Sequence, residues 1–423
     1  MNREYVSLGV FICAYLLFIL LPTRRSLVAV GGVLALGLTG TLAPLEIIHA
    51  INWNVMGIFV GTLIAADVFI ESRFPAWFAE VIVKRAPNTT WAILFICMLT
   101  SFISAFVENV ATVLIVAPIA LSLARRININ PVNMMIGIAI ASNLQGTATL
   151  IGDPPSMLLG GYAKMTFMDF FFYQGKPSIF FAVEFGAFFS FLVLYRVFSK
   201  HRERAEITVD ESVKSWIPTI MLVLLVATLA ASSFFDKGFS YLAGIICMVF
   251  GVAMLLFDVG TDKGRAVKSL WKLDWDTTFF LMGVFVIVES LAITGWIESL
   301  SVLLSGVVGG NPLWAYIILI ACSIIISGFV DNVPYLAAML PVAGSMAAHM
   351  GIPPQVLLFG LLIGASLGGN ITPIGASANV VACGLLRKEG HVVTFRQFGV
   401  ISIPFTLAAV IPSAILVWFI WGP

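Results

Sequence analysis

The chain has 423 residues, 60% of them hydrophobic and 11% charged, with a formal net charge of +1. Soluble domains carry about 25% charged residues; with a mean hydropathy of +1.03, a water-soluble globular protein is excluded and a polytopic helical membrane protein is expected. A net charge this small gives no ground for a nucleic-acid partner.

The first apolar segment, Val6 to Leu21, has Glu4 in its head and no small-residue cleavage site behind it, so it reads as a crossing and not as a signal peptide. Arg24 and Arg25 turn the chain into a second segment, Leu27 to Leu42, and a third, Val55 to Ile70, carries Asp67. Residues 71–88 mix Arg73, Lys84 and Arg85 with Trp77 and Phe78, the composition of a short helix lying at the interface. Trp91 to Val107 and Val110 to Leu123 flank the polar pair Glu108-Asn109, and both arms are short for a crossing, so the unit is read as a re-entrant hairpin. Met134 to Ile151 follows, broken near Asn143–Thr149 and continued as a short helix past Pro155. Ile179 to Tyr195 closes the first half.

Residues 199–214 form the one strongly charged linker, and the order then repeats. Trp216–Ala231 and Tyr241–Leu256 are crossings, Lys263 to Lys272 is a basic amphipathic piece, and Thr278–Ile293 carries Glu289. A second hairpin, a second broken segment and a last span to Ile420 complete the chain. The repeat is numerical: Ser104, Asn109 and Pro118 recur 223 positions later as Ser327, Asn332 and Pro341, and Thr149 and Gly152 recur as Thr372 and Gly375. Trp53 with Trp275 and Asp67 with Glu289 share an offset of 222.

The expected fold is therefore all-α: two repeats, 1–198 and 215–423, joined by a cytoplasmic linker at 199–214. Each holds five transmembrane helices and one hairpin (about 91–124 and 314–348) with one broken helix (about 134–163 and 357–386). Five crossings turn the second copy upside down. Every basic residue except Arg3, Lys164, Lys176 and Lys237 then falls in loops on one side, which the positive-inside rule makes cytoplasmic, with both termini outside a cell (inner) membrane.

Polar groups at membrane depth are costly unless they meet water, an ion or a partner, and paired interruptions in two halves point to a transporter's binding site. The candidate ion-binding residues are accordingly Glu108, Asn109, Thr112, Asn143, Thr147, Thr149, Asp153, Asp331, Asn332, Asn370, Thr372, Ser377 and Asn379. Asn109 and Asn332 are candidate sodium ligands. Asparagine and hydroxyl oxygens suit hard cations, while helix N-termini attract anions. With no basic residue inside the tips or breaks, the acids are expected to hold sodium or a proton without a fixed counter-charge. The Asp67/Glu289 pair repeats too and is open between a structural and a transport role. Cys13, Cys97, Cys247, Cys322 and Cys383 are scattered in apolar sequence and form no ligand cluster. No His-Glu-x-x-His or Gly-x-Ser-x-Gly occurs, so an enzyme is not expected, and a channel would need a continuous pore that inverted tips do not require. No cofactor is expected beyond a coupling ion.

The acid-Asn-Val tips, the run from Gly146 to Pro155 and the run from Ile374 to Asn379 resemble the ion transporter superfamily. That group includes arsenite efflux pumps, NhaD-type sodium/proton antiporters, the melanosomal P protein, and citrate and dicarboxylate carriers. The resemblance covers essentially the whole chain. It implies a homodimer, a static scaffold and a moving elevator domain built from hairpins and broken helices. Asp153-Pro154-Pro155 and the tips look closest to the antiporters and the P protein, and Ile371 to Gly375 to the arsenite pumps. Val110 and Val333 stand where dicarboxylate carriers have a threonine, which argues against a sodium–dicarboxylate symporter. Cation/proton antiport is the favoured activity, and coupled movement of citrate, a dicarboxylate or arsenite is the alternative.

Overall fold

The computed structural model describes residues 3–200, 211–236, 238–261 and 263–423; most of the expected linker, 201–210, and Lys237 lie outside them. Before the linker come α1 (Arg3–Leu20), α2 (Arg25–Leu38), α3 (Pro44–Ala50), α4 (Trp53–Glu71), α5 (Phe74–Lys84), α6 (Thr89–Ser104), α7 (Asn109–Arg126), α8 (Val132–Gly146), α9 (Pro154–Ala163) and α10 (Ile179–Phe198). After it come α11 (Ile217–Ser232), α12 (Leu242–Thr261), α13 (Lys263–Lys272), α14 (Trp275–Ile293), α15 (Trp296–Val307), α16 (Pro312–Ser327), α17 (Asn332–Met350), α18 (Pro354–Gly368), α19 (Ser377–Lys388) and α20 (Phe395–Trp421). Besides short 3-10 turns and connecting loops, the described residues hold a two-residue antiparallel ribbon, β1 (Phe172–Tyr173) with β2 (Lys176–Pro177). Among the described residues nine helices are long and apolar enough to cross a bilayer, and α15 with α16, bent by 113°, passes as a tenth span.

Several helices start where a side chain replaces the missing backbone acceptor. Asn52, Asn88, Asp274 and Asn311 cap α4, α6, α14 and α16, each accepting from the first turn's orphan N–H groups. The tips use the same device: Glu108 accepts from the Ala111 N–H at 3.1 Å and Asp331 from the Val333 N–H at 3.0 Å. Between α6 and α7, and between α16 and α17, the same four-residue gap remains. The hairpin arms depart from expectation. α7 has 18 residues and α17 has 19, about 27–29 Å at 1.5 Å per residue, so each is long enough to cross. The helical pattern runs on past Leu123 through Arg125 and Arg126, whose charges end the apolar run but not the helix.

Helices α8 and α18 are buried on nearly every face and form the centre of the bundle. The fourth helix of each half packs along the second helix of the other: α4 on α12 and α14 on α2. The last helices, α10 and α20, pack together, and the Ser413 hydroxyl donates to the Ala182 carbonyl at 2.7 Å. Because lipid is as apolar as a leucine, such helices associate through close contact of small residues. Gly61 meets α12 with no room to spare: a Cβ there would stand 2.3 Å from the Cys247 carbonyl carbon. A Gly61→Val substitution forces two backbones apart and is expected to destabilise the protein by about 3 kcal/mol or more. A thermal melt of the purified protein that is unchanged would remove this contact from the scaffold.

The breaks fall slightly later than the composition suggested. α8 continues to Gly146, which leaves Asn143 in its last helical turn and residues 147–153 as the interruption. In the second half, α18 gives way to a 3-10 turn at Gly369–Ile371 before α19. Each break is tied to the tip of its own half by one threonine. Thr149 donates to the Ala105 carbonyl, and Thr372, 223 positions on, to the Gly328 carbonyl.

Candidate functional site

One small cavity collects both tips and both breaks. It is lined by Glu108, Asn109 and Val110 from the first tip, Asp331, Asn332 and Val333 from the second, and Asn143 from the end of α8. Asp153, Pro154 and Pro155 come from the start of α9, and Ala376, Ser377 and Ala378 from the start of α19. Four helix N-termini, those of α7, α9, α17 and α19, therefore face the same space. Its volume is about 40 Å³; a water needs about 10–15 Å³ on this measure, so there is room for a bare ion with a few ligand waters.

Each wall is held by buried polar bonds. The Asn109 amide oxygen accepts from the Ser104 hydroxyl at 2.6 Å, and Ser104 is 2.8 Å from the Ser142 hydroxyl. Asp153 is 1% exposed. One of its oxygens accepts the Ser156 N–H at 2.9 Å and so caps α9. The other, Oδ2, accepts no hydrogen bond of good geometry among the described residues, although the Asn109 side chain lies against the carboxyl group. The Asn143 amide joins the two halves: its Nδ2 donates to Asn370 Oδ1 at 2.8 Å and to Asn379 Oδ1 at 3.0 Å. Asn379 in turn donates to the Gly369 and Thr372 carbonyls, each at 2.9 Å, and so closes the second break.

Seven of the thirteen sequence-derived candidates line the cavity: Glu108, Asn109, Asn143, Asp153, Asp331, Asn332 and Ser377. The other six, Thr112, Thr147, Thr149, Asn370, Thr372 and Asn379, stand behind them and bond to backbone or to Asn143. Asp67 and Glu289 do not line it. Glu289 is exposed on the outside of α14.

Four lining residues come from elements that the repeats did not point to: Arg25, Phe59, Asp274 and Thr277. Arg25 corrects the expectation that the acids lack a fixed counter-charge. Its Nη1 donates to Asp331 Oδ2 at 2.6 Å, its Nε to Asp276 Oδ2 at 3.2 Å, and its Nη2 to Thr277 Oγ1 at 2.7 Å. Nothing near Asp331 in sequence announces this partner, which lies 306 positions away. Asp274 carried a weak signal, since it stands 222 positions after Asn52 and both cap the helix that begins with an aligned tryptophan. The lining thus holds the carboxyl groups of Glu108, Asp153, Asp274 and Asp331 against the one guanidinium of Arg25, a net of three negative charges when all are ionised.

The floor under Asn109 is Gly146. A Cβ at that position would stand 2.3 Å from Asn109 Oδ1, the far end of a side chain and not backbone. Gly146→Ala is expected to displace the amide at little cost in melting temperature and to lower flux by about tenfold, in line with the loss of one well-made polar contact. Wild-type flux in this variant would show that the position of Asn109 does not matter.

A bundle of apolar crossing helices whose interruptions meet at one charged, ion-sized cavity is the architecture of a membrane transporter. The chain belongs to the citrate transporter family, whose sequence model matches residues 15–364 and 241–423. It is 29% identical to an uncharacterized transporter of Mycobacterium tuberculosis over 426 residues, 98% of this chain and 97% of that protein. It is 24% identical to the P protein of Homo sapiens, a match covering 96% of this chain and 58% of the human protein. Among solved structures, the Alcanivorax borkumensis YdaH transporter superposes with a TM-score of 0.62 at 13% identity, over 88% of this chain and 87% of that one. The Neisseria gonorrhoeae MtrF structure, from a class of antimetabolite efflux pumps, gives 0.54 at 14% identity, over 87% and 80%. These two share the fold with this chain.

Proposed function

We propose that the protein is a secondary active ion transporter driven by sodium or protons, and that cation/proton exchange is its activity. The observation that carries this reading is the surplus of carboxyl groups around an ion-sized cavity, Asp153 buried among them with an Oδ2 that accepts no hydrogen bond of good geometry among the described residues. A carboxylate held this way must take up a cation or a proton, since an isolated charge away from water is too costly to persist.

Alternating access follows from treating residues 1–198 and 215–423 as inverted repeats, because near-equivalent conformations then open one site to either side. The matched threonine bonds from break to tip support this division. The tips and broken helices, α6–α9 and α16–α19, would move as a unit against a scaffold containing α2, α4, α12 and α14. The cavity reaches the N-termini of α2 and α14, the ends next to the basic loops assigned to the cytoplasm, which supports a state facing inward. A homodimer in the cell (inner) membrane, with both termini outside, completes the proposal.

A second reading, coupled transport of a small anion or oxyacid such as citrate, a dicarboxylate or arsenite, draws on a different observation. Ala376 offers α19 no capping side chain, so the N-terminus of α19 faces the cavity with free N–H groups beside Ser377 and within the same space as Arg25. Proteoliposomes loaded with a pH dye separate the two. Internal alkalinisation or acidification driven by a sodium gradient alone supports exchange; a response only after an anion is added favours the second reading.

A further inference from the structure

The two tips are chemically unequal. Asp331 is neutralised by Arg25, whereas Glu108, at the matching place in the first half, makes no ion pair among the described residues. The difference is written into the chain. In α12 the matching place falls on Ala243, because Gly244 bonds to Asn54 where Ser26 bonds to Asp276, so that place offers the first tip no cation.

Arg25 is anchored on the scaffold side. Its Nε and Nη2 bond to Asp276 and Thr277, and its guanidinium lies 5.1 Å from the Phe280 ring centre, all three on α14. Ser26 also bonds to Asp276. To α17 it makes a single contact, the 2.6 Å bond to Asp331. Two hydrogen bonds, one of them charge-assisted, and a ring contact hold the guanidinium to one helix against one bond to the other. A relative shift of the two units therefore breaks the Asp331 bond and leaves Arg25 behind with α14.

We propose that Arg25 is a tethered cation: it fills the cation place at Asp331 in the conformation seen here and leaves it open when the tips move away. The site then binds its ion with different strength in the two conformations, and the difference is built in by one side chain of the scaffold. This rests on the cation-transport reading above. Arg25 is a positioning residue, acting on the cargo by occupying the Asp331 carboxylate.

The test is sodium-dependent thermal stabilisation of the purified full-length protein in nanodiscs, with choline chloride holding ionic strength constant. In the wild type sodium competes with the guanidinium for Asp331. In Arg25→Gln that competitor is gone, and the sodium midpoint is expected to fall by about tenfold or more, the weight of one charge-assisted bond. Arg25→Lys keeps the charge and is expected to stay near wild type. Asp331→Asn placed on Arg25→Gln is expected to reverse the gain. A purely structural Arg25 predicts a lower melting temperature without any change of midpoint; midpoints of wild type and Arg25→Gln within about twofold of each other overturn the proposal while leaving the ion reading intact. If sodium and lithium stabilise neither protein, the cation reading itself fails and the proposal falls with it.

Discussion

Asp153→Asn is expected to lower cation-driven flux by about 100-fold or more while leaving the protein folded. The two halves of that statement have separate causes. Asparagine is as good an N-cap as aspartate, so the bond from the Ser156 N–H that starts α9 survives the exchange. What disappears is the charge, together with the capacity of Oδ2, which accepts no hydrogen bond of good geometry among the described residues, to take a proton or coordinate an ion inside the cavity. Removing a charged ligand from a buried site costs about as much as two tenfold steps in affinity. The measurement is sodium-driven pH change in vesicles, with a melt on the same preparation as the check on folding. Wild-type rates in Asp153→Asn would remove Asp153 from the ion path and leave it a structural cap.

Asn143→Ala is expected to have the largest effect on stability among the site residues, about 2–4 kcal/mol. Its amide makes two direct bonds between the broken helix of the first half and that of the second, to Asn370 and Asn379, beside a third from Asn370 Nδ2 to the Ile140 carbonyl at 3.3 Å. Truncation leaves two buried amide oxygens facing an alanine, and an unsatisfied buried acceptor costs more than the bond it once made. Residues in one hydrogen-bonded network do not act independently, so Asn143→Ala combined with Asn379→Ala should cost less than the sum of the two single changes. The check is a double-mutant cycle on melting of the purified protein. Strict additivity would mean that Asn143 and Asn379 do not act through their shared bond.

Much of this was legible before any coordinates, and the reason is the cost of polar groups in lipid. An asparagine or an acid in a watery loop says little, but the same residue between long apolar runs must be compensated, so the tips and breaks stood out, and stood out twice. That argument reached Glu108, Asn109, Asn143, Asp153, Asp331, Asn332 and Ser377, all of which line the cavity. It also reached the six residues behind them, because a hydroxyl or amide that braces a break has the same composition signal as one that faces an ion.

What escaped is of two kinds. Short or irregular pieces were lost in their surroundings: α3 between two crossings, the 12-residue α15, whose apolar face merges with its neighbours, and the ribbon β1–β2. Arg25 was lost for a different reason. Beside Arg24 it reads as one of the basic residues that set orientation, and the same charge would look the same in sequence whether it met water or Asp331.

The chain alone determined the class, the repetition of apolar units at a near-constant offset and the polar points of each unit, because each of these is a property of local composition or of spacing. The tertiary structure alone decided which charges meet. Electrostatic pairing depends on distance in space, and the arginine that faces Asp331 is delivered by the packing of α2 on α14, two helices that begin some 250 residues apart.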